Sequence, residues 1–171
     1  MSAQNVTRRL VMAALFIACA LVVNAAEGML PMPLPGLKLG AANVFTLAAL
    51  VMLGVKAAFC VTVLRVLLAW LFTGNWFAFL CSMAGGVAAA IVMSLLYCKM
   101  RRDFSLPWIS VAGAWAFNAA QTLLVSYMIG DARAVFYMIP LFIAGTAAGW
   151  AVGRLAQEIC RRLGASYNMD R

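Results

Sequence analysis

The chain is built of long apolar stretches separated by short clusters of lysine and arginine, with almost no charge inside the stretches. A bilayer offers no water to exposed peptide groups, so a chain of this kind crosses it as helices or as a closed barrel. Stretches of about 20 apolar residues match the helical span of the hydrocarbon core. With 66% hydrophobic and 11% charged residues and a mean hydropathy of +0.97, the chain is too apolar for a soluble domain, which carries about 25% charged residues. Its length suffices for about six spans and leaves about fifty residues for loops and ends. The expected fold is therefore an all-α integral membrane protein, a single transmembrane domain over 1–171 forming a compact bundle of six transmembrane helices.

The spans are predicted at 10–26, 42–55, 57–73, 77–98, 106–129 and 134–157. With the N-terminus in the cytoplasm, Arg8, Arg9, Lys56, Lys99, Arg101, Arg102, Arg154, Arg161, Arg162 and Arg171 fall inside or at inner ends. Lys38 and Arg133 fall outside, and Arg65 is left in the membrane. This asymmetry obeys the positive-inside rule and places both termini in the cytoplasm. Reading 42–73 as one long tilted helix gives five spans instead and sets Lys99-Met-Arg-Arg102 against the basic C-terminus, which the same rule disfavours. The opening segment, with Arg8-Arg9, an apolar run and Val23-Asn-Ala-Ala26, also has the features of a cleavable signal peptide. Its apolar run is longer than a usual signal core, which favours a retained helix.

The inventory of reactive groups is small. Five acidic residues (Glu27, Asp103, Asp131, Glu158, Asp170) never form a close pair, and histidine is absent. Metal sites, carboxylate dyads and histidine-based catalysis are thereby excluded, so no catalytic residue and no cofactor is expected. Cys19, Cys60, Cys81, Cys98 and Cys160 lie at irregular spacings without a C-x-x-C pair and read as free packing thiols. The formal charge of +8 punctuates apolar runs rather than clustering on a water-facing element, so nucleic acid is not an expected partner.

Between the first two helices, Met29-Leu-Pro-Met-Pro-Leu-Pro-Gly-Leu-Lys-Leu-Gly40 carries prolines at alternate positions, which hold it extended. It is either a stiff external loop or a lid folded over a site at the outer face. Small residues spaced four apart allow helices to approach closely in lipid. Gly145, Gly149 and Gly153 form such a ridge on helix 6, Ser82, Gly86 and Ala90 another on helix 4, and Ala14 and Ala18 a weaker one on helix 1. These serve packing within the bundle or contact with a partner subunit.

Polar groups within the membrane are costly and therefore candidates for function. Arg65 lies in mid-helix 3, about 12–14 Å from either end. Asn118 and Gln121 share a face of helix 5, with Trp115 one turn earlier on the same side. Asn43 and Thr46 stand on the first turns of helix 2, just after Lys38. Arg65 either bonds backbone carbonyls or binds a ligand; Asn118 and Gln121 either tie helices together or do the same. The candidate ligand set is Lys38, Asn43, Arg65, Asn118 and Gln121. With two cations and no carboxylate, it predicts a neutral or anionic ligand carrying a carboxylate or phosphate beside an apolar or aromatic body. No intramembrane carboxylate or histidine is expected to couple protons, and no G-x-x-x-x-G-K-[ST] loop is present to bind ATP. Transport by this chain would need an external power source.

Pro35-Gly-Leu-Lys-Leu-Gly-Ala-Ala-Asn43, Leu64-Arg65, Leu71-Phe-Thr-Gly74, Ser82-Met-Ala-Gly-Gly86 and Asn118-x-x-Gln121 together resemble the "Gx transporter" family, also known as heptaprenyl diphosphate synthase component I, over nearly the whole chain. That family resembles the six-helix substrate-binding (S) components of energy-coupling factor (ECF) transporters. The resemblance implies a multi-pass protein of the bacterial cytoplasmic membrane that captures a vitamin or other micronutrient from the outer face. A transmembrane coupling subunit and two ATPases would drive its release, and membrane lipid would surround it. Ala14 and Ala18 would correspond to the alanine pair that docks on the coupling subunit. A histidine often precedes the helix 5 asparagine in that family; Phe117 stands there here, which implies a different ligand or ligand geometry. The synthase label fits a catalyst poorly, since prenyl diphosphate synthases hold magnesium with clustered aspartates. A non-catalytic membrane partner of such a synthase is the alternative, and a small pore or purely structural bundle a third.

Overall fold

The computed structural model describes residues 3–29, 38, 40–100, 103–131, 133, 136 and 138–164. Among these, six helices and no strands occur: α1 (Ala3–Gly28), α2 (Asn43–Leu53), α3 (Val55–Thr73), α4 (Trp76–Met100), α5 (Leu106–Ile129) and α6 (Met138–Arg162). α1 and α3 to α6 are each long and apolar enough to cross a membrane, so the chain is a multi-pass membrane protein. α2 is not. Its 11 residues rise about 16 Å, half of a hydrocarbon core, which corrects the expected span over 42–55.

The break between α2 and α3 is at Gly54, two residues before Lys56, the gap left between the expected helices 42–55 and 57–73. Gly54 has φ +94°, a conformation that side chains resist and glycine tolerates. Across it α2 and α3 fold back as an antiparallel hairpin. The bonded pairs Thr46–Thr62 and Asn43–Arg65 are each centred on Gly54. A single tilted helix over 42–73 is thereby overturned. α5 and α6 run antiparallel too. Gly145 of α6 faces Asn118 of α5, Gly149 faces Ala114, and Gly153 faces Ser110 and Pro107, so the register steps evenly down the pair.

Other boundaries follow local chemistry. Pro107 stands in the first turn of α5, where its missing N–H is no loss. The Asn75 side chain accepts the Ala78 N–H at 3.0 Å and caps α4. α1 extends beyond the expected 10–26 at both ends, and α6 starts at Met138 rather than 134 and runs on to Arg162.

α2 is short because it is interior. It touches α1, α3, α4 and α6, and Val44, Leu47, Ala48, Ala49, Leu50 and Leu53 are all buried. A helix apolar on every side belongs inside. Its first N–H groups, which lie at membrane depth, are met by carbonyls of Gly40, Ala41 and Ala42, as hydrocarbon surroundings demand.

The alternation of directions divides the bundle into two ends. One holds the start of α1, the Gly54 turn, the α4–α5 connection and the end of α6. Arg8, Arg9, Lys56, Lys99, Arg154, Arg161 and Arg162 are all at this end, where Arg9 donates to the Leu53 carbonyl at 2.6 Å and ties α1 to the turn. The apolar core, with Phe16, Leu50, Leu53, Met93, Leu106, Ile109 and Ala156, fills this half. The other half combines a smaller apolar cluster of Cys81, Val125 and Leu141 with a group of buried polar side chains.

Candidate functional site

Near the end of the bundle opposite the basic cluster, side chains from α1, α2, α3 and α5 and the chain at 38–41 converge in one buried polar cluster. Arg65 of α3 is 2% exposed, and its guanidinium donates to Asn43 Oδ1 at 2.7 Å. Gly86 of α4 makes room for it: a Cβ there would stand 3.4 Å from the guanidinium and 2.9 Å from the Thr62 methyl. Thr62 gives its single proton to the Ala58 carbonyl, so Thr46 donates in the 2.9 Å hydroxyl pair between them. Arg65 Nε has no hydrogen-bond partner. A buried guanidinium N–H without an acceptor is costly.

Lys38 forms a strap from α1 to α5. Its ammonium donates to Asn24 Oδ1 at 2.9 Å. Its backbone N–H and C=O both meet the Gln121 side chain, which accepts at 3.4 Å through Oε1 and donates at 2.8 Å through Nε2. Burial pushes the Lys38 ammonium down from its ordinary value, the Glu27 charge opposes this, and Arg65 adds to it. Asn118, fully buried, donates to the Leu141 carbonyl of α6 at 2.8 Å and accepts from Gln121 at 3.4 Å. Beside the strap, Gly40 (φ +81°) lies against Phe117, and Gly85 of α4 seats the other side of that ring. The Gly85–Gly86 pair thus serves two neighbours, Phe117 of α5 and Arg65 of α3.

The structure brings Lys38, Asn43, Arg65, Asn118 and Gln121 into this cluster. Two expectations need correction. Trp115 is not on the site's face: it is 46% exposed and donates outward to the Thr146 hydroxyl at 3.0 Å, because each step of three falls about 60° short of a full turn and the two steps back from Gln121 add to about 120°. The cluster also contains a carboxylate. Glu27, at the last turn of α1, is 5% exposed, accepts the Ala41 N–H at 2.7 Å and acts electrostatically on Lys38 and Arg65. The returning chain at Ala41 covers it. Asn24 and Thr62 were missed for the same reason, their partners being distant in sequence. The lid over 29–40 lies outside the described residues except at Met29, Lys38 and Gly40.

Elsewhere, Gly145, Gly149 and Gly153 face α5, with a Cβ at Gly149 standing 2.9 Å from the Val111 backbone. Ala14 and Ala18 are exposed on α1. Among the described residues no group of three histidine, cysteine or acidic side chains comes together to hold a metal.

The model of one protein family, described as heptaprenyl diphosphate synthase component I, matches residues 16–159. No curated protein and no solved structure matches the chain.

Proposed function

Because the chain belongs to the heptaprenyl diphosphate synthase component I family, a membrane family by the character of its helices, we propose that it is a non-catalytic ligand-capture subunit, an S component of an ECF-type transporter. The observation that carries this reading is the buried cluster around Arg65. A guanidinium at mid-membrane depth, held by one neutral amide oxygen and with a free N–H edge, is the arrangement expected of a site that a ligand completes. The ligand is a small neutral or anionic molecule of the micronutrient class.

The orientation follows from charge. The basic end of the bundle faces the cytoplasm, as the positive-inside rule requires, so both termini are cytoplasmic and the cluster opens toward the outer face of a bacterial cytoplasmic membrane. The strap at Lys38 covers the site on its outer side. Ala14 and Ala18, small and exposed on α1, offer a face for close helix approach by a transmembrane coupling subunit. Two ATPases joined to that subunit supply the energy.

Mass spectrometry of small molecules retained by the purified protein tests the reading. Wild type should carry a ligand that Arg65→Met loses while remaining folded. Equal retention by both would remove Arg65 from the site. Reporters fused after Arg102 and at the C-terminus should both read as cytoplasmic; either one reading external would reverse the site's direction.

The family's name favours a second reading, a membrane partner of a prenyl diphosphate synthase or of another isoprenoid- or quinone-related system. In that case a soluble synthase would dock at the basic end.

A further inference from the structure

We infer that the three charged side chains of the buried cluster, Lys38, Arg65 and Glu27, select a singly charged anion and reject a diphosphate. This rests on the ligand-capture reading and adds the class of ligand to it.

Both cations are held by neutral oxygens. Lys38 donates to the Asn24 amide and Arg65 to the Asn43 amide, although an ammonium has three donors and a guanidinium five. The one carboxylate nearby is turned to a backbone N–H, that of Ala41. Lys38 and Arg65 are close enough for their charges to act on each other, and Glu27 acts on both. Two cations and one carboxylate leave one positive charge without a counter-ion. Buried charge is costly unless paired, and one carboxylate or other monoanion lying between Lys38 and Arg65 balances the cluster. A diphosphate would bring surplus negative charge against Glu27. No metal-ligating group of three side chains stands among the described residues to offset it. Glu27 is thus the specificity-determining residue: it contributes no contact to the anion and sets how much negative charge the site accepts.

A matched pair of probes tests this. Benzoate and phenyl phosphate share a ring and differ in charge, the latter carrying about −1.5 to −2 at pH 7. Geranyl diphosphate extends the series to an isoprenoid. Affinities are measured by equilibrium dialysis on the purified full chain in detergent. Wild type should bind benzoate at least tenfold more tightly than phenyl phosphate, and geranyl diphosphate more weakly still; tenfold is about 1.4 kcal/mol. Glu27→Gln should shift the ratio at least tenfold toward phenyl phosphate, and Glu27→Asp should restore it. Because Glu27→Gln also alters the Ala41 contact, Lys38→Met provides an independent arm: it lowers the cluster by one positive charge and should exchange benzoate binding for binding of neutral benzamide. Equal affinity of wild type for benzoate and either phosphate, or a ratio unmoved in both variants, overturns the selectivity and leaves ligand capture intact. Absence of binding by every probe to wild type overturns the monoanion site, while ligand capture itself stands or falls on the small molecules retained by the purified protein.

Discussion

Replacing Gly145 by alanine adds one methyl group at the point where helix packing and the candidate site meet. That methyl would stand 2.5 Å from Asn118 Nδ2, against a comfortable separation of about 3.5 Å or more. Asn118 cannot swing aside freely, being fully buried and bonded to the Leu141 carbonyl at 2.8 Å. Either α5 and α6 separate or the amide gives up that bond. Overpacking a close-packed interior costs about 1–3 kcal/mol, and loss of the hydrogen bond adds about 0.5–1.5 kcal/mol. Gly145→Ala should therefore destabilise the fold by about 1.5–4.5 kcal/mol and loosen Gln121, which donates to Asn118. The assay is equilibrium unfolding in mixed micelles by added SDS, followed by tryptophan fluorescence, with Gly153→Ala as comparator. Gly153 packs on the Pro107 backbone, away from the cluster, so it should destabilise without changing ligand affinity. A Gly145→Ala protein within about 0.5 kcal/mol of wild type, the usual range for surface changes, would refute the wedge between Gly145 and Asn118.

Gln121→Leu strips both bonds from the Lys38 backbone and should cost about 1–3 kcal/mol, with amide exchange around Lys38 and Ala41 accelerating in a hydrogen-exchange measurement. Arg65→Met should weaken binding of the retained ligand by about 1.5–3 kcal/mol, the range for charge-assisted hydrogen bonds, read by dialysis once that ligand is identified. Ala14→Leu with Ala18→Leu alters two exposed positions, so micelle stability should change by less than about 0.5 kcal/mol. Uptake in cells containing the coupling module should nevertheless fall, while ligand binding persists.

Much of this architecture was legible because bilayer physics is simple. Apolar length set the long helices, and the Lys/Arg clusters set which ends lie together. The α2 region resisted such reading. Its apolar run looks the same whether it spans the membrane or stops inside it, and only burial by α1, α3, α4 and α6 distinguishes the two. Gly54 could have been recognised as the break, since a lone glycine between two apolar helical runs is a turn signal. Within the site, Arg65, Asn118 and Gln121 stood out as polar residues in apolar surroundings. Asn24 and Glu27 did not, because a helix end is where polar residues ordinarily meet water. Their burial comes from Lys38 and Ala41 folding back over them, a contact that no periodicity along α1 encodes. Trp115 was misplaced because two successive steps of three, from Gln121 through Asn118, rotate it by about 120°; the interface with α6, through Thr146, claims it instead.

The claim that this chain captures ligand for a partner-driven transporter is tested most directly by affinity purification of the intact protein from its native membrane, followed by mass spectrometry of the associated proteins. The account predicts a transmembrane coupling subunit and two ATPases, lost when Ala14 and Ala18 are both replaced by leucine. Recovery of a soluble prenyl diphosphate synthase in their place, unaffected by those replacements, would contradict it.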